Sequence, residues 1–150
     1  MNILIAGGTG LIGSALSDQL IQSGHSVTIL SRTTNLPLPI KGVKSVQWDA
    51  RTTKGWGHLV EEHDAVVNLT GENLGAGRWT AERKQRFKTS RIDSGKALAT
   101  AVREAKVRPA IFVQASAVGY YGPHQEEKLD ETSPAGSDSL ARLCVEWEAA

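Results

Sequence analysis

A glycine-rich turn between the first predicted strand and the first predicted helix constrains this chain more than any other feature. Residues 2–6 are apolar after Asn2, residues 11–22 have the apolar spacing of a helix, and Gly7-Gly8-Thr9-Gly10-Leu11-Ile12-Gly13 connects the two. In a dinucleotide-binding turn, the three spaced glycines allow a tight turn, close approach of a pyrophosphate and close helix packing. Free N–H groups at a helix N-terminus favour such an anion. The turn therefore predicts a phosphate site, with a ligand-free glycine turn as the alternative. The candidate residues are Gly7, Thr9, Gly10, Leu11, Ile12 and Gly13.

Apolar runs alternate with helical segments along the rest of the chain, which predicts strand–helix–strand units and a parallel sheet. A length of 150 residues suits a single domain. We predict an α/β, doubly wound parallel sheet, the Rossmann fold, spanning 1–150 with strand order 3-2-1-4-5. The predicted strands are 2–6, 26–31, 43–48, 64–69 and 110–115, the predicted helices are 11–22 and 80–105, and the predicted loops include 33–42 and 122–137.

A last helix is predicted to begin near Ser137 and to be still running at Ala150. It bears Leu140, Leu143 and Trp147 at helical spacing and has no C-cap signal. A domain does not ordinarily end in this way, so the pattern indicates a truncated chain.

The end of the second predicted strand indicates which nicotinamide cofactor fits. A site for NAD places an Asp or Glu there, hydrogen-bonded to the ribose 2′-hydroxyl. This strand ends in Ser31-Arg32, and no acidic residue follows before Asp49. A guanidinium binds a 2′-phosphate through two hydrogen bonds and a hydroxyl donates to it, whereas a carboxylate repels it. The pair favours NADP (NADPH); the alternative is that Arg32 is a solvated loop arginine.

The glycine spacing at 7, 10 and 13 resembles that of the extended short-chain dehydrogenase/reductase superfamily. A wider set of motifs resembles one branch of it, the NAD(P)-dependent epimerase family of bacteria, mitochondria and chloroplasts, some of whose members are labelled cell-division inhibitors. The resemblance spans essentially all of the chain. Because members of that branch are considerably longer, it implies that a C-terminal, substrate-binding part is missing. The motifs are Gly71-Glu72-Asn73, Arg78-Trp79, Ser90-Arg91-Ile92, residues 116–122 and residues 144–148.

The resemblance implies cofactor contacts beyond the glycine turn. In the wider superfamily an acid at the position of Asp49 contacts the adenine, although an Asp that caps the next turn is an open alternative. Gly71 follows the fourth predicted strand, where clefts of open parallel sheets lie, and would let the ribose approach the backbone. The remaining positions that line an NADP site in this branch match Ser31, Arg32, Leu69, Thr70, Arg86 and Arg91, the last as a phosphate partner.

The catalytic signal of the superfamily is missing. Its enzymes use a Ser together with a Tyr four positions before a Lys, and the Lys and cofactor lower the pKa of that Tyr so that it acts as general acid/base. Alignment of the last helix puts Leu140 and Cys144 at the Tyr and Lys positions. Ser116 and Tyr121, at the end of the fifth predicted strand, are the candidate catalytic residues. A structural packing role for Tyr121 is the alternative.

Two function classes remain open. One is an NADP-dependent epimerase-like oxidoreductase acting on a small molecule, such as a nucleotide sugar or another carbonyl compound. The other is a catalytically idle NADP-binding protein with a regulatory, scaffold or redox-sensing role in cell or organelle division. Turnover of a substrate would distinguish them.

Composition and charge limit which partners and which cellular compartment fit either function. Residues 78–108 carry ten Lys/Arg against three acids, which indicates solvated helix faces or a bound anion. Their few aromatic residues argue against nucleic acid, no apolar run predicts a membrane span, and no metal-ligand spacing occurs. The single cysteine suits a reducing compartment. We predict a cytoplasmic or mature organellar protein, possible as a homodimer.

Overall fold

The computed structural model describes residues 1–33, 41–124 and 126–150. Its centre is a 5-stranded sheet in which every strand pair is parallel. The strands are β1 (Asn2–Ala6), β2 (Ser26–Ser31), β3 (Lys44–Gln47), β4 (Ala65–Asn68) and β5 (Ile111–Gln114). Their order, β3-β2-β1-β4-β5, confirms the predicted fold and strand order.

Within the described residues, three α-helices accompany the sheet, and their positions agree with the sequence pattern except at the last turn of the third. They are α1 (Leu11–Gln22), α2 (Ala81–Glu104) and α3 (Ser139–Glu148). The prediction that the last helix is still running at Ala150 is wrong, since α3 ends at Glu148. The N–H of Ala150 bonds to the carbonyl of Trp147 instead of continuing the helical ladder, which tightens the last turn. Two short 3-10 helices, Gly57–Glu62 and Val118–Tyr121, were not predicted.

Apolar side chains cover both faces of the sheet. Successive residues of a strand point to opposite faces, and β1 places Leu4 against the α2 side and Ile5 against the α1 side. On the first side the core includes Trp56 and Leu98, and both are fully buried. Because both faces are covered, the interior residues of β1 and β2 are buried on both sides, and they are apolar except for Thr28.

The outer strand β5 is less covered than the others. Its residues Ile111, Phe112 and Val113 are 44%, 40% and 45% exposed. Of the predicted loop 33–42, residues 34–40 lie outside the described residues. Among the described residues, no helix is long and apolar enough to cross a membrane.

Candidate functional site

The glycine turn between β1 and α1 is packed so closely that side chains do not fit. Gly7 has a φ of +83°, and a Cβ there would lie 2.7 Å from the carbonyl carbon of Leu69. A Cβ on Gly13 would lie 2.3 Å from the carbonyl oxygen of Gly7. The N–H of Gly10 donates to that same oxygen at 3.0 Å, which closes the turn immediately before α1. Because these glycines have no side chains, the backbone of the turn packs directly against the N-terminus of α1.

A cleft of about 450 Å³ opens beside this turn, at the carboxyl ends of β1, β2 and β4. Many of the residues predicted to bind the cofactor line this cleft. They come from three segments that lie far apart in the sequence. They are Gly7, Thr9, Gly10, Ser31, Arg32, Leu69, Thr70 and Gly71. Leu11 and Ile12 are exposed at the start of α1, at 91% and 69%, and Gly13 lies behind the turn. These three do not line the cleft.

The end of β2 presents a hydroxyl and a guanidinium to the cleft. Ser31 is buried, and its Oγ accepts a hydrogen bond from the N–H of Thr33 at 3.2 Å. Because the Oγ is an acceptor in that bond, its own proton is available to a ligand. Arg32 is exposed. No carboxylate lies within ion-pair distance of its guanidinium in the parts of the chain that the structure describes.

Asp49 does not line the cleft, whereas its neighbours Trp48 and Ala50 do. Its carboxylate accepts the N–H groups of Arg51 and Thr52, both at 2.8 Å, and the hydroxyl of Thr52 at 2.7 Å. These hydrogen bonds, chiefly the backbone bond from Thr52, lower the pKa of Asp49 to about 2. The carboxylate therefore holds the turn after β3, as the capping alternative describes.

Arg86 of α2 is directed at the cleft wall formed by Leu69–Asn73 and not at the cleft itself. Its Nε donates to the Glu72 carboxylate at 3.1 Å, and the Nε of Arg83 lies 3.6 Å from the other oxygen of that carboxylate. The Arg83 side chain is only 12% exposed. Glu72 lines the cleft, so two guanidinium groups offset the negative charge that it would otherwise present to an anionic ligand.

Arg91, the other basic position on α2, also lies behind the wall. Its Nη1 and Nη2 donate to the carbonyl oxygen of Glu72, each at 3.3 Å. Burial lowers the pKa of Arg91 from its ordinary value, and the nearby Cys144 and Glu72 oppose that shift. Arg91 is therefore engaged with the backbone of the wall.

A buried polar network supports the wall from below. Asn68, fully buried at the end of β4, donates from Nδ2 to Gln114 of β5 at 2.8 Å. Its Oδ1 accepts the hydroxyl of Thr70 at 2.6 Å, and that hydroxyl also meets the hydroxyl of Ser94 on α2. The network joins two strands and one helix at the residue where the wall begins.

The two candidate catalytic residues lie beyond the cleft lining. The Ser116 hydroxyl, just after β5, donates to the carboxylate of Glu148 at the end of α3. Tyr121 lies in the 3-10 helix, and its ring packs edge-on against Tyr120 with centroids 5.3 Å apart. Cys144 is buried, and burial is the main cause that raises the pKa of its thiol.

Several residues of the site were not among the predicted cofactor-binding or catalytic residues. Some adjoin predicted positions, and their proximity could have suggested them; Thr33, Glu72 and Asn73 are of this kind. Ser90 lines the cleft from α2, and Glu148 reaches Ser116 from α3. Both lie in motifs of the family resemblance, but those motifs do not indicate their contacts, because their partners lie far away in the sequence. In the described ranges, no group of three or more His, Cys, Asp or Glu residues could hold a metal ion.

Comparison with known proteins identifies the family. Residues 3–148 match the model of the NAD dependent epimerase/dehydratase family. The chain belongs to this family. Epimerase family protein ML0860 of Mycobacterium leprae is 39% identical over 148 residues, which are 99% of this chain and 46% of that protein. The chloroplastic SDR39U1 homolog of Arabidopsis thaliana is 34% identical over 151 residues, 99% of this chain and 43% of the homolog.

Solved structures agree with this membership and with the fold. Human epimerase family protein SDR39U1 (isoform 2) with NADPH superposes with a TM-score of 0.82 at 33% identity, over 99% of this chain and 48% of that one. A UDP-glucose-4-epimerase of Stenotrophomonas maltophila, with bound NAD and formylated UDP-arabinopyranose, gives 0.80 at 26% identity, over 99% of this chain and 47% of that one. The chain thus spans about half the length of these relatives. These findings confirm the resemblance to the epimerase branch of the short-chain dehydrogenase superfamily.

Proposed function

We propose that the chain binds NADP(H) in the cleft, as the dinucleotide-binding domain (1–150) of an epimerase-like oxidoreductase that acts on a small molecule. One observation carries this proposal: a single cleft contains the glycine turn of α1 and the Ser31–Arg32 pair of β2. Its volume of about 450 Å³ falls within the range of roughly 300–1,000 Å³ for small-molecule sites. Substrate contacts would then come from chain outside these residues.

The residues of the cleft fit the parts of a dinucleotide. The turn at Gly7 and Gly10 leaves room for a pyrophosphate at the N-terminus of α1. Arg32 supplies a planar guanidinium for a 2′-phosphate, and Ser31 supplies a hydroxyl proton. Leu69, Thr70 and Gly71 form the opposite wall. When bound, the nicotinamide ring supplies hydride-transfer chemistry.

The other predicted cofactor residues are proposed to act indirectly, by holding residues that line the cleft. Asp49 holds the turn that carries Ala50 into the cleft, and Arg86 and Arg91 hold Glu72. The human relative with NADPH supports NADP, whereas the Stenotrophomonas epimerase holds NAD. The chemistry at the end of β2 supports NADP, because no carboxylate stands there to accept a hydrogen bond from the 2′-hydroxyl.

Calorimetric titration of the purified chain with NADPH and NADH tests the cofactor. We expect tighter binding of NADPH, and we expect Arg32→Ala to weaken NADPH about 10- to 100-fold while NADH changes little, as for loss of a charge-assisted hydrogen bond. Arg108→Ala is the matched control, since Arg108 is exposed and lies outside the cleft. Equal affinities for the two dinucleotides in the unsubstituted chain would contradict the role of Ser31 and Arg32.

For the reaction itself, Ser116 and Tyr121 are the proposed proton-transfer residues. The Ser116 hydroxyl already donates to the Glu148 carboxylate, which can accept its proton. The substrate is proposed to be a nucleotide sugar or another carbonyl compound, as the sugar nucleotide held by the Stenotrophomonas epimerase suggests. With a panel of such compounds, reduction of NADP⁺ by nucleotide sugars and oxidation of NADPH by carbonyl compounds measure turnover, and Ser116→Ala and Tyr121→Phe are expected to lower it without loss of NADPH binding.

A second candidate is an NADP-binding regulatory, scaffold or redox-sensing protein that does not turn over substrate. It is favoured by Leu140 and buried Cys144, which take the positions of the catalytic Tyr and Lys in the sequence alignment. NADPH binding without turnover of any compound in the panel would support this candidate. For either function we propose a cytoplasmic or organellar location, possible assembly as a homodimer and no nucleic-acid partner.

A further inference from the structure

Trp147, in the last turn of α3, stacks on Arg91 of α2. The indole is 6% exposed, and the guanidinium carbon lies 5.1 Å from its ring centre, within the range of a cation–π interaction. The same guanidinium contacts Gly71, since a Cβ on Gly71 would lie only 2.9 Å from its Cζ. Arg91 therefore connects α3 to the wall of the cleft.

Both backbone polar groups of Glu72 are bonded to the same stretch of α2. Its carbonyl accepts from Arg91, and its N–H donates to the Oγ of Ser90 at 2.9 Å. Arg91 Nη1 also donates to the carbonyl of Phe87, one turn earlier, at 3.2 Å. Since Gly71 and Glu72 line the cleft, the Arg91 guanidinium is one of the groups that hold this wall in position.

No hydrogen bond from the indole N–H explains why a tryptophan stands at position 147 in the described structure. This N–H group is buried and has no hydrogen-bond partner among the described residues. An unpaired buried donor is destabilising. The contribution of Trp147 must therefore come from its apolar bulk and from the ring face on which Arg91 stacks.

We propose that Trp147 is a positioning residue of the cofactor cleft, acting through Arg91 on Gly71 and Glu72. The ring face holds the guanidinium against Gly71, and the guanidinium holds the carbonyl of Glu72. The effect on cofactor affinity rests on the proposed function. The effect on the wall does not, and it can be measured without a cofactor.

Amide hydrogen exchange of the unliganded chain, followed residue by residue by NMR, tests the wall. In Trp147→Leu we expect exchange at Glu72 to rise about tenfold beyond any rise at Leu4, a fully buried residue of β1 whose exchange reports global opening. Trp147→Phe keeps a ring face and should restore most of the protection. Leu143→Ala on the same helix is the control, and it should change Glu72 and Leu4 together.

Arg91→Lys is the second variant, in case Trp147→Leu does not fold. It keeps the charge but not the flat guanidinium, so it should also raise exchange at Glu72. Unchanged exchange at Glu72, or a rise no larger than that at Leu4, in the folded variants would overturn the positioning role.

The cofactor readout separates this inference from the proposed function. NADPH should bind about tenfold more weakly to Trp147→Leu, and Trp147→Phe should recover most of that affinity. If the unsubstituted chain bound no dinucleotide, the proposed function would fail while the exchange result at Glu72 stood. If it bound NADPH and Trp147→Leu bound it equally well, the positioning role would fail alone.

Discussion

Alanine at Gly7 should destabilise the protein more than alanine at Gly24, although the two glycines have nearly the same backbone conformation. The φ angle is +83° at Gly7 and +81° at Gly24, so each alanine carries the strain of a left-handed residue, about 1–2 kcal/mol. The space around them differs. A Cβ at Gly24 meets nothing within 4 Å, whereas at Gly7 it would lie 2.7 Å from both carbonyl atoms of Leu69.

The atoms that a Cβ on Gly7 would meet cannot retreat easily. They belong to the backbone of Leu69, whose N–H donates to the carbonyl of Ala6 at 2.9 Å and so continues the pairing of β1 with β4. Overpacking of this kind costs about 1–3 kcal/mol. The free energy of unfolding should therefore fall by about 2–5 kcal/mol in Gly7→Ala and by about 1–2 kcal/mol in Gly24→Ala.

Urea denaturation of both variants measures the difference, and titration with NADPH shows whether the displaced turn still accepts the cofactor. We expect Gly7→Ala to lose NADPH binding and Gly24→Ala to keep it. Gly13→Ala is a further comparison: alanine is favoured over glycine in a helix by about 1 kcal/mol, but its Cβ would lie 2.3 Å from the Gly7 carbonyl oxygen. Equal losses at Gly7 and Gly24, or a more stable Gly13→Ala, would refute the close-packing argument.

Three further predictions concern groups around the cleft. The lowered pKa of Asp49, about 2 against 3.8, means that its contribution to stability is present above pH 4 and is lost as the pH falls through about 2. Urea midpoints of Asp49→Asn and of the unsubstituted chain should therefore differ near pH 5 and approach each other as the pH is lowered toward 2. The raised pKa of the Cys144 thiol predicts slow alkylation at neutral pH until the protein unfolds, and rapid alkylation of the native chain by iodoacetamide would contradict it. Asn68→Ala removes the donor to the Oε1 of Gln114 and the acceptor of the Thr70 hydroxyl, which keeps its contact with Ser94. It should therefore lower the free energy of unfolding by about 1–3 kcal/mol, and a thermal midpoint unchanged from that of the unsubstituted chain would contradict it.

The strands, the helices and the glycine turn could be predicted because their signals are local. β1, β2 and β4 each contain a short apolar or β-branched stretch, α1 and α2 show helical periodicity, and Thr80 caps α2 by accepting the N–H of Arg83. The parallel order follows from the alternation of strand and helix. The predicted end of α3 was wrong because a helix terminus depends on which carbonyls the last N–H groups reach. The bond from the Ala150 N–H to the Trp147 carbonyl has no signal in the residue types.

The sequence by itself therefore determined the Rossmann architecture and the location of a cleft beside the glycine turn. Backbone conformation and burial pattern depend mainly on residue types that are close together in the sequence. Only the tertiary structure decided which charged side chains face that cleft. It engages Arg86 with Glu72, it places Arg91 between Trp147 and Gly71, and it uses Asp49 to hold a turn. The physical reason is that a hydrogen bond or a stacked pair is selected by distance in space, and the partners come from segments that only folding brings together.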